Sequence, residues 1–468
     1  MYERPASLDR MLADLARELP SDAILTGAEC EAFAGDESDV APRVPDAVVR
    51  ASRAADVRAT LRLANEHRIA VTPRAAGTGK SGGCVPIEGG IVLSMARMRT
   101  IEEVSVADSV TVVEPGVVLG HVHDAVEKEG LFYAPDPNSL AECTIGGNIA
   151  ENAAGPRTLK YGTTRDWILG LDIVTADGTE LSLGTRTHKG VTGYDLTSLI
   201  VGSEGTLGVV TRATLRLAPK PQAIATLAAL LPSAEAIGVA VSALSAQGID
   251  ARCIELFDER TLAFCRAASP FPIPQSVRSM LLVELDGDVH ALPDAIERAG
   301  SVLVDAGADV MVAKHAGDRE KLWSVRRELS RALRKSALGK ISEDVVVPRS
   351  KLGALIDESA RIGERHGLRS ASYGHAGDGN LHVNFLWDRL EQMPAVRAAM
   401  ADLFAAVRSM RGTLSGEHCI GASKSAFLAG EQSAALIDLQ KRIRATFDPR
   451  GILNPGKIFA RPGSHRAC

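Results

Sequence analysis

Aromatic residues are scarce in this chain, at 4% of 468 residues, and so is cysteine. The seven cysteines (Cys30, Cys84, Cys143, Cys253, Cys265, Cys419 and Cys468) are scattered, odd in number and nowhere spaced as Cys-x-x-Cys. That argues against a cysteine-held iron–sulfur cluster or zinc site, and it favours reduced thiols over a disulfide framework. Charge of one sign is missing as well. The formal net charge is −5 and no basic stripe is present, which speaks against nucleic acid as a partner and against attraction to an anionic membrane. No stretch approaches the roughly 18 uncharged apolar residues of a transmembrane helix. Met1 to Pro20 carries charges throughout and alternates as a short amphipathic helix does, without the apolar core of a signal peptide. A cytoplasmic protein is expected, with peripheral attachment to a membrane left open.

What is present is the balance of a globular protein, 45% hydrophobic and 24% charged. The length predicts two or three domains at roughly 100–200 residues each. Asp56 to His67 reads as a helix with Val57, Leu61 and Leu63–Ala64 on one face. Strands are expected over Ile69–Pro73, Ile91–Ser94 and Thr111–Val113, and a hairpin over Leu171–Thr175 and Glu180–Leu183 around Ala176-Asp177-Gly178-Thr179. Val209 to Leu217 alternates cleanly, and Pro219 and Pro221 mark a domain boundary. Beyond it, strand-like runs (Ala223–Leu231, Arg252–Leu256, Met280–Leu285) alternate with amphipathic helices (Ala234–Ala246, Ala291–Ala306), a pattern of βαβ units on an antiparallel sheet. Ser433 to Phe447 reads as a last helix, and no internal repeat stands out.

Arg74-Ala-Ala-Gly-Thr-Gly-Lys-Ser-Gly-Gly83 requires a reason. Gly77-x-Gly79-x-x-Gly82 has the letters of a dinucleotide fingerprint, but a strand follows where that motif needs a helix. Gly79-Lys80-Ser81 resembles the end of a P-loop, but Arg74 stands where its first glycine belongs. A strand–loop–strand phosphate cradle remains, in which glycines let backbone amides approach phosphate oxygens. One glycine pair is more often a tight turn. The second cluster, Thr144-Ile-Gly-Gly-Asn-Ile-Ala-Glu-Asn152, favours two loops holding a long dinucleotide.

Pro73-Arg-Ala-Ala-Gly-Thr-Gly79, Pro135-Asp-Pro-Asn-Ser139, Thr144-Ile-Gly-Gly-Asn148 and Val201-Gly-Ser-Glu-Gly-Thr-Leu-Gly208 resemble the FAD domain of the vanillyl-alcohol oxidase / p-cresol methylhydroxylase superfamily, over about Val40 to Pro221. The resemblance implies FAD between two α+β subdomains. It places Gly77, Thr78 and Gly79 at the pyrophosphate. Ser139, Thr144, Gly146, Gly147 and Asn148 line the rest, and Glu204, Gly205 and Val209 lie toward the adenine. Arg74, Ala76, Pro137, Gly155, Tyr161 and Asn454 complete the implied cofactor set. Relatives with covalent flavin carry a histidine in the first loop where Thr78 stands here, so non-covalent FAD is expected.

His375-Ala-Gly-Asp-Gly-Asn-Leu-His382 puts two imidazoles around a glycine-rich turn. A strand over Leu381–Leu386 puts His382 and Asn384 on one face, and Ser370–Gly374 is a candidate partner strand that folds His375 back toward His382. Two histidines and the carboxylate of Glu417 suit a divalent ion, with zinc the first expectation and manganese or iron the alternatives. A lone histidine is more often a surface or core residue, and that reading is kept for the eight histidines other than His375, His382 and His418. His375 to His382 with Ser415-Gly-Glu-His418, and the closing Phe447-Asp-Pro-Arg-Gly-Ile-Leu-Asn-Pro-Gly-Lys457, resemble FAD-linked D-2-hydroxyacid dehydrogenases: D-lactate and D-2-hydroxyglutarate dehydrogenases and the flavin subunit of glycolate oxidase. The resemblance implies His375, His382 and Glu417 as metal ligands, His418 as base and Asn384 at the substrate. Members usually carry glycine after this histidine; Cys419 stands there and alters the pocket wall.

Trp323-Ser-Val-Arg326-Arg-Glu-Leu-Ser330 resembles the family's substrate-binding helix. Arg326 and Ser330 share a helix face, and a guanidinium fork holds a carboxylate with two hydrogen bonds. Lys340 is a second candidate. The expected fold is α+β: an FAD-binding domain over residues 1–221, a ferredoxin-like substrate and metal domain over 222–425, and a segment over 426–468 that returns to the FAD domain. The expected reaction is metal-assisted oxidation of a small D-2-hydroxy acid, of the D-lactate, glycolate or D-2-hydroxyglutarate type, to the 2-oxo acid, with hydride passing to flavin N5 and a proton to His418, whose unperturbed pKa of about 6.5 suits neutral pH. Electrons leave to an external acceptor: a quinone, a cytochrome or an electron-transfer flavoprotein. A homodimer is left open. Two rivals stand beside this reading: a flavin-dependent transferase of the same superfamily without net redox change, and a flavin subunit that only relays electrons within a complex.

Overall fold

The computed structural model describes residues 4–266, 271–313 and 315–460. The chain divides into two units. One comprises Met1–Ala154, Gly162–Lys220 and Glu417–Cys468; the other comprises Gly155–Tyr161 and Pro221–Gly416. The chain leaves the second unit at Gly416, short of the expected 425, because Ile420–Ser423 already bind residues of the first.

The first unit holds two sheets. In one, the order is Ile24–Leu25, Ala47–Arg50, Ile91–Ser94, Val71–Arg74, and the last three strands are parallel. Parallel neighbours need a crossover, and Ala54–His67 is the helix that supplies it between Ala47–Arg50 and Val71–Arg74. Its Val57, Leu61 and Ala64, fully buried, recur at helical spacing and pack with Val71, Ile91 and Leu93. Arg68 stops the helix in a left-handed conformation, φ 56°. The chain's far end closes this core: Val71 N donates to Ile452 O and Asn454 N to Val71 O, at 2.9 and 2.8 Å. The other sheet is antiparallel, in the order Ile101–Ser105, Val110–Val113, Val209–Arg216, Ile168–Val174, Glu180–Gly184. Its expected hairpin turn forms because Asp177 Oδ1 accepts from Thr179 N and Thr175 Oγ1 while Gly178 takes φ 86°.

The second unit runs β1 (Ala223–Leu231), α1 (Glu235–Ala246), β2 (Ala251–Phe257), α2 (Glu259–Cys265), β3 (Ser279–Gly287), α3 (Leu292–Asp305), β4 (Asp309–Ala313), α4 (Ala316–Lys335), β5 (Gly339–Val346), α5 (Leu352–Arg365), β6 (Arg369–His375), β7 (Asn380–Trp387), α6 (Met393–Ser409). All seven strands form one antiparallel sheet in the order β4-β1-β3-β2-β6-β7-β5. The first half, β4-β1-β3-β2, is a ferredoxin-like βαββαβ unit with α2 inserted. The second half repeats the scheme without its last strand, and the halves join through β2 and β6. The duplication is one of topology, with no sequence repeat behind it.

The register decides which side chains share a face. Glu255 lies opposite His375, Tyr373 opposite His382, and Asp344 opposite His382. With Asn384, Ser342 and Lys340 they form one face of the sheet. The helix α4 covers part of that face, its Leu322, Val325, Leu329 and Leu333 packing on Ala371, Tyr373 and Leu386. Burying these apolar groups contributes roughly 1.5–3 kcal/mol for each large side chain and fixes α4 above the sheet.

Candidate active site

The first glycine cluster leaves the strand Val71–Arg74 and crosses to Gly83 before the chain re-enters the sheet. Gly77 takes φ 82°, and a Cβ there would strike the Arg74 guanidinium. Among the described residues, no backbone amide from Ala76 to Gly83 donates to a backbone carbonyl. A row of such amides in a half-exposed loop suits phosphate oxygens, so these residues fit the diphosphate of FAD. The loop is held through its carbonyls. Gly79 O accepts from Glu37 N at 3.0 Å, Ser81 O from Ala422 N and Ser423 N at 2.9 and 3.1 Å, and Gly83 O from Asn454 Nδ2 at 2.8 Å.

Several expected cofactor residues have structural duties. Arg74 Nη1 donates to Gly35 O at 2.7 Å and to Cys84 Sγ at 3.2 Å, bracing the loop from behind. Thr144–Asn152 is not an open loop: Ile145–Glu151 forms a short helix because fully buried Ile145 and Ile149 face the core at i, i+4. A Cβ at Gly147 would lie 3.3 Å from Ala75 Cβ, so the two glycine clusters touch. A Cβ at Gly146 would meet Pro115. Asn148 and Thr144 are buried at this helix, Pro137 and Ser139 shape the turn before it, and Thr78 and Gly79 are half-buried while Ala76 is exposed. Val209 belongs to the apolar core, and Gly205, φ 65°, backs onto Pro73. Gly155 and Tyr161, expected in the FAD domain, lie in the second unit, where Tyr161 Oη donates to Asp286 Oδ2 at 2.8 Å and Lys160 Nζ reaches Asp286 Oδ1 at 2.9 Å.

Glu204, expected near the adenine, spends its carboxylate on the chain itself. It accepts from Ile420 N at 3.0 Å and Gly421 N at 2.8 Å, and so fixes the turn that follows His418. Burial pushes its carboxyl up to about 7, against the two amide donors that favour the charged form. The pKa is higher folded than unfolded, so the associated stability is present below the ordinary carboxylate range and is lost as pH rises through about 7. Between pH 5 and 8 the stability loss measured by urea unfolding should be smaller in Glu204→Gln than in wild type by roughly 1–3 kcal/mol. An unchanged loss would contradict this account of Glu204.

The histidine pair lies in the second unit. Its turn, Ala376–Gly379, reverses the chain between β6 and β7, with Asp378 N donating to His375 O at 3.1 Å. Gly379 takes φ 80°, and a methyl there would run into the Val347 carbonyl. Gly379→Ala should therefore cost roughly 2–4 kcal/mol, read as a lowered denaturation midpoint. Ligand atoms of His375, His382 and Glu417 lie within 4.8 Å of one another. Glu417 is the first residue past the unit boundary, bonded directly to Gly416. Asp344, fully buried on β5, holds that approach: it accepts from Gly416 N at 2.8 Å, from Ser415 Oγ at 3.0 Å and from Asn380 Nδ2. Two imidazoles and a carboxylate so gathered are a donor set that a divalent ion accepts.

The sequence reading missed Glu255 and Asp344. Glu255 Oε1 meets His375 Nδ1 at 2.5 Å, and its Oε2 accepts from Arg326 Nε at 2.6 Å. Burial pushes the Glu255 carboxyl up, but the adjacent His375 and Arg326 outweigh it and hold it below its ordinary value. Both carboxylates carried one legible signal, an acidic residue within a largely buried strand. Arg326 is 4% exposed and its guanidinium lies 4.9 Å above the Tyr373 ring. Ser330 Oγ accepts from the buried Lys340 Nζ at 2.9 Å. Asn384 Nδ2 donates to the carbonyls of Ala371 and His382, at 3.0 and 2.9 Å, so only its oxygen side remains for a ligand. His418 Nε2 lies 3.8 Å from Glu417 Oε1. Its neighbour Cys419 takes φ 60°, a left-handed conformation that suits glycine, and donates its thiol to Glu151 O at 2.9 Å. Cys30, Cys84, Cys143, Cys253 and Cys419 are not joined in disulfides; the Cys265 side chain and Cys468 lie outside the described residues.

The FAD binding domain family matches residues 45–184, and the family of FAD linked oxidases, C-terminal domain, matches residues 220–458, the half that carries the histidines and Glu417. The chain belongs to the FAD-linked oxidase family. It is 38% identical over 426 residues to "Glycolate oxidase subunit GlcD" of Bacillus subtilis, covering 90% of this chain and 91% of that protein. It is 36% identical to "D-lactate dehydrogenase" of Archaeoglobus fulgidus, with 92% and 95% covered. Among solved structures, 4-ethylphenol oxidase from Gulosibacter chungangensis matches with TM-score 0.81 over 99% of each chain, at 19% identity, a likeness of fold. This FAD-linked oxidoreductase shares its fold with p-cresol methylhydroxylase as well, with TM-score 0.79 over 98% of each chain at 17% identity. No helix among the described residues is long and apolar enough to cross a membrane.

Proposed function

We propose that this enzyme oxidises a small D-2-hydroxy acid, of the glycolate, D-lactate or D-2-hydroxyglutarate class, to the 2-oxo acid. The observation that carries the reading is the convergence of His375, His382 and Glu417 in a chain whose relatives are named for 2-hydroxy acid oxidation. FAD, non-covalently bound on the Gly77–Gly79 loop, supplies the two-electron acceptor at flavin N5. His375, His382 and Glu417 would hold a divalent ion, zinc or else manganese or iron, which would lower the pKa of the substrate hydroxyl.

The protein's own residues do the rest. His418 accepts the hydroxyl proton as general base. Arg326, Ser330 and Lys340 hold the substrate carboxylate, and Glu255 holds Arg326 in place through its Nε. The Asn384 side-chain oxygen limits how the substrate lies against β7. Asp344 keeps Glu417 beside the histidines by fixing Ser415 and Gly416. Electrons then leave to an external quinone, cytochrome or electron-transfer flavoprotein. The test is an anaerobic screen of D- and L-2-hydroxy acids for loss of flavin absorbance. Bleaching by one D-acid or by glycolate is the expected result; no bleaching by any of them, with FAD bound, would sink the reading.

A further inference from the structure

We infer that Glu255 is a positioning residue that ties the metal centre to the carboxylate-binding side of the substrate site. The inference rests on the proposed metal reading and concerns a residue outside the ligand set. Glu255 stands in the middle of β2, fully buried, between apolar Ile254 and Leu256. An isolated carboxylate there carries a desolvation cost of several kcal/mol, so it persists only with good partners. It has two, and each oxygen serves a different one: Oε1 meets His375 Nδ1 at 2.5 Å, and Oε2 meets Arg326 Nε at 2.6 Å.

Each contact selects one state of its partner. A carboxylate at His375 Nδ1 favours the tautomer with the proton on that nitrogen, which leaves the Nε2 lone pair for an ion and raises its basicity. A carboxylate at Arg326 Nε holds the guanidinium in one rotamer. Tilted and edge-on ring contacts close the circuit. Arg326 lies 4.9 Å above the Tyr373 ring, Tyr373 stands 5.3 Å from the His382 ring, and His382 stands 5.4 Å from His375. Metal ligand and carboxylate anchor are thereby placed relative to each other by one rigid set of side chains. A 2-hydroxy acid presents its hydroxyl and its carboxylate on adjacent carbons, so the spacing between the two anchors is what such a substrate reads.

The full-length, FAD-loaded protein tests this with Glu255→Gln and Glu255→Asp. The readouts are Zn2+ affinity by competition with a chromophoric chelator, KM and kcat separately, and FAD content. Glu255→Gln should keep its flavin, weaken Zn2+ binding about 10–100-fold and raise KM about tenfold or more; Glu255→Asp, which keeps the charge, should recover part of both. Wild-type Zn2+ affinity and wild-type KM in Glu255→Gln would overturn the inference. If that variant does not fold, Glu255→Gln/Arg326→Met, which also removes the stranded cation, is compared with Arg326→Met. Equal Zn2+ affinity in those two overturns it, and weaker binding in the double variant supports it. A wild-type protein that takes up no Zn2+, Mn2+ or Fe2+ contradicts the proposed metal centre itself, which is a different failure from an unchanged Glu255→Gln.

Discussion

His418→Ala should keep its FAD and its fold yet reduce that flavin with a 2-hydroxy acid about 10²–10⁴-fold more slowly, the usual contribution of a positioned general base. The expectation follows from where His418 stands. Its ring is 3.8 Å from Glu417, one residue from the proposed ion, and the turn behind it is fixed by Glu204 and by the Cys419 thiol. The turn is held by the Ile420 and Gly421 amides and the Cys419 thiol rather than by the His418 ring. Truncation therefore removes a proton acceptor and leaves the turn in place, so the loss should fall on the chemical step in single-turnover mixing. Flavin bleaching at the wild-type rate would remove His418 from the role of base.

His382→Ala should abolish tight binding of the ion and lower turnover by more than about a hundredfold, since an ion on the reacting oxygen is worth several kcal/mol of transition-state stabilisation. A chelator should reproduce the loss in wild type, and added Zn2+, Mn2+ or Fe2+ should reverse it there but not in the variant. His382 sits within β7, between β6 and β5, and its backbone register is fixed on both sides. The substitution should therefore leave far-ultraviolet circular dichroism and flavin content unchanged. Full turnover of chelated wild-type enzyme would contradict the ion's part in the reaction.

The site was legible in the sequence where its residues are close together. His375 and His382 flank one turn, and Glu417-His418 is one dipeptide, so spacing and residue type sufficed. It was illegible where strands far apart in sequence meet. Glu255 reaches Arg326 across 71 residues and His375 across 120, and no periodicity on α4 reveals that Arg326 has a buried carboxylate beside it. Strands such as Ile91–Ser94 and Ala223–Leu231 were readable because burial on both faces leaves a run that is apolar but for one residue. The duplication in the second unit was not, because no internal repeat is visible in the sequence. The second glycine cluster was misjudged as a loop: Gly146-Gly147 suggested a turn, while burial of Ile145 and Ile149 outweighs the low helix propensity of glycine. Gly155–Tyr161 belongs with the second unit through Asp286, a partner 125 or 126 residues away that no local pattern announces.

The most direct measurement is an anomalous-difference map, with an X-ray fluorescence scan to name the element, from crystals of enzyme shown to turn over a 2-hydroxy acid. One strong peak is expected at about 2.0–2.2 Å from His375 Nε2, a ring nitrogen of His382 and a Glu417 carboxylate oxygen. Fully active crystals with no peak among those three side chains would contradict the account.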